Sequence, residues 1–170
     1  MSRAPEFEPS ALVRRLLEAG VDFVVVGGVA VNLQAQARFT DDLDICYAHD
    51  QANLDALGSV LVDLGATLRG IDEDVPFVPD GRTLRGTQIL CLSTSLGEID
   101  LLVDPNGAPP YAKLRARSDV LGMGDVEVRV ASKDDLIAMK RAAGRPIDVT
   151  DVESLLTAKR RLGRRRKRPA

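Results

Sequence analysis

The sequence predicts an α+β fold, a mixed β-sheet flanked by helices with more helices at its C-terminal end. Three observations carry that reading. Short β-branched runs such as Phe23-Val24-Val25-Val26 have the length and composition of buried strands. Stretches with apolar residues three and four apart, such as Leu12, Val13, Leu16 and Leu17, have the period of an amphipathic helix. Their order is helix, strand, helix, strand, helix, several strands and then helices, which departs from the strict alternation of a doubly wound sheet.

In chain order, Ser10 is a helix cap for Ala11–Ala19, and Gly20 ends that helix. Val21–Val26 is the first strand, and Gly27-Gly28 ends it and opens a second, short helix bearing Val29, Val31 and Leu33. Asp42–Tyr47 is the second strand. Asp50 opens a third helix to Leu64, with Leu54, Leu57, Val60 and Leu61 inward. Residues 65–83, rich in Gly, Pro and Asp, read as an irregular, mobile connection. Thr87–Leu92 and Glu98–Val103 are strands joined by a turn at Ser95–Gly97, and Asp104-Pro105-Asn106-Gly107 is a second turn. A short helix over Tyr111–Ala116 precedes two strands, Asp119–Leu121 and Val126–Val130. Ser132, with Asp135 three residues on, resembles a capping box for a helix to Ala143, which Gly144 stops. A last helix spans Val149–Arg161, and residues 162–170 read as a basic disordered tail behind a single domain over 1–161.

The chain has 170 residues, 45% of them hydrophobic, enough for one core. Its net charge of −2 conceals an uneven distribution, because residues 159–168 hold eight of the 23 Lys and Arg and no acid. The first 158 residues therefore carry 15 basic and 25 acidic side chains, a formal −10. An acidic body calls for cations and a basic end for an anionic partner. Cys46 and Cys91 lack metal-site spacing and sit in apolar runs, as reduced buried thiols do. A start without an apolar signal core, and the lack of any membrane-length apolar run, predict a cytoplasmic protein. His49 is the only histidine, which argues against His-rich zinc sites and Ser-His-Asp hydrolysis. Aromatic residues are too few for a base-stacking platform.

The chemistry centres on carboxylates. Asp42 and Asp44 are two residues apart on a strand and so share one face. Like charges held that close repel, and a hard divalent cation relieves the repulsion. Asp100 lies within the apolar run Ile99–Val103, where an acid has to be paired, protonated or metal-bound. If its strand neighbours Asp42–Tyr47, three acids converge, with Glu98 a competing third ligand by strand parity. Gly27 and Gly28 open a helix whose free N–H groups suit phosphate, although close packing of helix on strand would also ask for glycine.

Together Gly27-Gly28, Arg38-Phe39-Thr40-Asp41-Asp42-Leu43-Asp44 and Glu98-Ile99-Asp100 resemble the minimal nucleotidyltransferases of the polymerase-beta-like superfamily. Ser132 to Lys140, with Arg145-Pro146-Ile147-Asp148 and Asp151, is similar to the AbiEii/MNT-like subset. The resemblance spans roughly residues 10–160. It implies a nucleotidyltransferase-like fold and transfer of a nucleoside monophosphate from a nucleoside triphosphate such as ATP to an acceptor hydroxyl. It implies that Asp42, Asp44 and Asp100 hold two Mg²⁺ ions, with Mn²⁺ as an alternative, and that Asp100 helps to deprotonate the acceptor. Gly27, Gly28, Arg38, Thr40, Lys140 and Arg145 would bind nucleotide, with Asp148 holding the basic pair. A solvated helix position is the plain alternative for Lys140. The chain departs from many relatives in having Gln34-Ala35 where they carry His-Gly, and Ile147-Asp148 where they carry Lys-Asp. The acceptor stays open among a tRNA end, a protein and a small molecule, and the partner would be a cognate antitoxin or toxin. The competing readings are a catalytically silent, antitoxin-like module that holds nucleotide or a partner, and a nucleic-acid-binding protein centred on the basic tail.

Overall fold

The computed structural model describes residues 7–71 and 76–166. Seven strands form one mixed sheet. They are β1 (Phe23–Val26), β2 (Asp42–Tyr47), β3 (Thr67–Leu68), β4 (Ile89–Thr94), β5 (Gly97–Leu102), β6 (Asp119–Met123) and β7 (Val126–Val130), in the spatial order β3-β4-β5-β2-β1-β7-β6. The β2–β5 and β1–β7 pairs are parallel, and the hairpins β4–β5 and β6–β7 are antiparallel. The helices are α1 (Pro9–Glu18), α2 (Gly27–Ala35), α3 (Gln51–Asp63), α4 (Gly81–Arg85), α5 (Tyr111–Arg117), α6 (Lys133–Ala143) and α7 (Pro146–Arg166).

Local chemistry sets most boundaries. Asp50 accepts the N–H of Asn53 at 3.0 Å and so starts α3, while Ser132 accepts that of Asp135 at 3.2 Å and starts α6. Gly144 ends α6 in the left-handed conformation, φ 66°. β1 is buried along its whole length, as a central strand with two neighbours should be. In β2 and β5 the alternation is resolved by parity. Leu43, Ile45, Ile99 and Leu101 are fully buried in the core, while the acids between them face the other way.

Two expectations are corrected. Residues 65–83 are not wholly irregular, since Thr67–Leu68 pairs with β4 and α4 begins at Gly81. Residues 72–75 of that stretch lie outside the described residues. The last helix is longer than its apolar stripe predicts, because α7 continues through Leu162 to Arg166. The expected disordered tail is therefore helical over 162–166, and 167–170 lie outside the described residues. Arg and Lys are good helix formers, and cations near a helix C-terminus complement its dipole, so lack of apolar period does not end the helix. Among the described residues no helix is long and apolar enough to cross a membrane.

Candidate active site

The parallel pairing of β2 with β5 sets Asp42 opposite Glu98 and Asp44 opposite Asp100. One carboxylate oxygen from each of Asp42, Asp44 and Asp100 lies within 4.8 Å of the others, so the three predicted acids do converge. Burial, with Asp42 and Asp100 close by, pushes the Asp44 carboxyl up to about 7, and an N–H bond from Gly28 opposes the shift. Burial and Asp42 likewise raise Asp100. A cluster that resists holding its own charges is suited to hard divalent cations, which prefer carboxylate oxygen, so the donor set fits Mg²⁺ or Mn²⁺. Glu98 is the outlier of the four, because it is engaged by Arg69 (Nε to Oε2, 3.1 Å).

Gly27 sits at φ +65°, and a Cβ there would come within 2.0 Å of Asp44 Oδ2. Glycine is thus required for Asp44 to reach the cluster, a packing demand beyond any phosphate contact. A Cβ on Gly28 would meet Thr40 Oγ1 at 2.8 Å, and that hydroxyl donates to Asp42 Oδ1 at 2.9 Å. The glycine pair, Thr40 and the two acids are therefore one fitted unit. Gly27→Ala is expected to displace Asp44 and lower turnover by about 10²-fold, the usual cost of misplacing a reacting geometry by an ångström. A kinetic assay beside a thermal melt separates this from unfolding.

A cleft of about 410 Å³ beside the acids is lined by Gly27, Gly28, Arg38, Thr40, Lys140 and Arg145, together with Asp42, Asp44 and Asp148. It gathers every nucleotide-binding position expected from the sequence, and Asp100 borders the cluster from β5 without lining the cleft. The basic residues are not equivalent. Lys140 is buried and its Nζ lies 3.1 Å from Asp148 Oδ1 and 2.9 Å from Asp151 Oδ2, which rules out a solvated position. Arg38 spends its guanidinium on Asp151 through Nε and Nη2, at 2.9 and 3.1 Å. Arg145 also grips Asp148, at 2.7 Å, yet its side chain is 66% exposed and faces the cleft with surface to spare. Asp148 is held at about 2 by Arg145, with Lys140 adding to it. Asp151 is lowered too, because Arg38 and Lys140 outweigh the burial that would raise it. This network joins α6, α7 and the segment before β2. Asp148 does hold the Lys140–Arg145 pair, as the resemblance implied.

Arg69 is the residue that sequence reasoning missed. It lies just past β3 in the stretch read as irregular, yet its Nη2 is 2.7 Å from Asp100 Oδ1 and its Nη1 is 4.0 Å from Asp42 Oδ2. No periodicity or spacing marks it, since only the β3–β4 pairing brings it across. His49 is exposed, Cys46 is buried and Cys91 half-buried, both cysteines unpaired.

The profile of the family described as "Nucleotidyl transferase AbiEii toxin, Type IV TA system" matches residues 10–161. The chain belongs to the AbiEii family of nucleotidyltransferases. Solved structures agree in fold. The lincosamide antibiotic adenylyltransferase LnuA, bound to lincomycin, superposes with a TM-score of 0.60 at 14% identity, covering 90% of this chain and 99% of that one. ANT(2'')-Ia in complex with adenylyl-2''-tobramycin gives 0.55 at 16% identity, covering 92% and 90%. An antigenic nucleotidyltransferase-like protein from Paracoccidioides brasiliensis gives 0.55 at 18%, covering 87% and 73%. No curated protein matches the chain by sequence. Membership in the AbiEii family accounts for the two halves of the resemblance together, the acids on β2 and β5 and the basic network on α6 and α7.

Proposed function

We propose that this AbiEii-family chain moves a nucleoside monophosphate from a nucleoside triphosphate to a hydroxyl of tRNA, in a divalent-cation-dependent reaction, as the toxin of a toxin–antitoxin pair. The observation that carries the reading is the meeting of Asp42, Asp44 and Asp100 within 4.8 Å, beside a helix that starts at Gly27. Divalent cations held by the three acids would offset the charge that builds on the leaving pyrophosphate. The chain's own residues do the rest. The free N–H groups at the start of α2 and the exposed guanidinium of Arg145 receive phosphate oxygens and orient the triphosphate in the cleft. Asp100, whose affinity for a proton is raised by burial, takes the proton of the acceptor hydroxyl as that oxygen attacks the α-phosphorus. Lys140 and Arg38, bound to buried carboxylates, hold the cleft wall in place.

The acceptor choice rests on α7. Its C-terminal half exposes Lys159, Arg160, Arg161, Arg164, Arg165 and Arg166, and a groove of about 930 Å³ that includes none of the three acids is lined by Gln34, Lys133, Arg161, Arg164 and Arg165 among others. A row of cations on one helix suits a phosphate backbone read without sequence. Truncation after Leu162 is expected to weaken RNA binding and to flatten its dependence on salt, because each phosphate contact contributes about −0.9 to the logarithmic slope. Filter binding across salt concentrations measures both, and an unchanged slope removes RNA as the acceptor. The deciding experiment is incubation with Mg²⁺, each α-³²P nucleoside triphosphate and total tRNA. Label on tRNA that vanishes with Asp42→Asn supports the reading. Label on a polypeptide, or on an aminoglycoside or lincosamide supplied instead, moves the acceptor class. Nucleotide binding without label anywhere favours a silent, antitoxin-like module.

A further inference from the structure

The acid cluster already has a cation of its own. Arg69 extends from the end of β3, where its N–H donates to Cys91 O at 3.0 Å, and its side chain crosses β4 to the carboxylates. Its Nη2 bonds Asp100 Oδ1 at 2.7 Å, its Nη1 is 4.0 Å from Asp42 Oδ2 and its Nε is 3.1 Å from Glu98 Oε2. These acids belong to two strands, so a single guanidinium spans β2 and β5. A divalent ion on Asp42 and Asp100 and a guanidinium on the same two carboxylates would repel each other over a few ångströms, in a half-buried setting where such repulsion is strong.

We propose that Arg69 is a resident counter-cation that competes with the divalent metal for the Asp100 side of the cluster and has to withdraw before the site is fully loaded. The inference rests on the reading that the three acids hold metal. The structure provides for withdrawal in three ways. The Arg69 seat is incomplete, because its buried Nε has Glu98 close by but off the N–H direction, and so makes no hydrogen bond. The side chain is 26% exposed, which leaves a route to solvent. The next residue, Gly70, has φ +76°, with nothing within 4 Å of where a Cβ would stand, so the chain can swivel beside Arg69. The consequence is a protein that binds free divalent metal weakly and takes it up with the nucleoside triphosphate, whose phosphates supply the negative charge needed to outbid the guanidinium.

The test is Mn²⁺ binding to the full chain without nucleotide, by electron paramagnetic resonance or calorimetry, on wild type, Arg69→Gln, Arg69→Lys and Asp42→Asn. Arg69→Gln is expected to bind Mn²⁺ tenfold or more tightly than wild type, and to gain more in melting temperature from Mn²⁺ over EDTA. Arg69→Lys keeps a charge that reaches less far, so it should fall between the two; it also serves if the glutamine variant fails to fold. Equal or weaker Mn²⁺ binding in both Arg69 variants, with Asp42→Asn weaker than wild type, overturns the competition and leaves the metal site standing. Mn²⁺ binding that is absent from all four proteins overturns both.

Discussion

Asp42→Asn or Asp44→Asn is expected to reduce nucleotidyl transfer by at least about 10³-fold, while the melting temperature stays level or rises. Removing a charged contributor to transition-state stabilisation costs several kcal/mol, and each 1.36 kcal/mol is tenfold in rate. Stability moves the other way because the cluster is electrostatically uneasy. Asp44 is pushed up to about 7 by burial and by Asp42 and Asp100. Its folded value lies above its unfolded one of about 3.9, so ionised Asp44 costs stability above about pH 7, and that cost fades as the pH falls toward 4. The gain from Asp44→Asn should therefore be a few degrees at pH 8 in EDTA and smaller at pH 5, about 2–4 °C per kcal/mol for a chain of this size. Transfer assays paired with thermal melts at the two pH values check it. Retained activity would remove the acids from the reaction, and a large loss of stability would make them structural.

The second large effect falls on Lys140. Lys140→Ala is expected to destabilise the fold by about 3–5 kcal/mol, of the order of 10 °C, because it leaves Asp148 and Asp151, 1% and 0% exposed, as buried charges short of a partner. Adding Asp151→Asn to Lys140→Met should restore part of the loss, as expected for groups in one network. The same network predicts the acid limb of stability. Asp148 is held at about 2, chiefly by Arg145, below its unfolded value, so its contribution is complete above about pH 4 and is lost as the pH falls from about 4 to about 2. Urea titrations from pH 6 to 2 should show that loss in wild type and a flatter profile in Asp148→Asn. A Lys140→Ala protein as stable as wild type would free Lys140 for a direct nucleotide role and contradict its structural one.

Lys140 shows where spacing stops informing. The run Ser132 to Lys140 made it a candidate for triphosphate binding, but the sequence left open whether the ammonium points into a cleft, into solvent or onto buried carboxylates. That depends on how α6 packs on α7, which brings Asp148 and Asp151 to within 3.1 and 2.9 Å of it. The glycine pair is similar. A conformational reason for Gly27 is legible, but its specific reason, the approach of Asp44 Oδ2, exists only because Val26 pairs with Asp44 across β1 and β2.

What the sequence determined by itself is what local physics encodes. Period-two and period-3.6 patterns, the caps Asp50 and Ser132 and the stop at Gly144 located the elements, and strand parity set Asp42 and Asp44 on one face. What only the tertiary structure decided is what long-range pairing encodes. The parallel register of β2 with β5 brought Asp100 opposite Asp44 and left Glu98 opposite Asp42. The antiparallel pairing of β3 with β4 carried Arg69 to three of the acids. α7 continued to Arg166, past the point where its apolar stripe ends. A charged side chain has no period of its own, and its partner is chosen by whichever strand the sheet sets beside it.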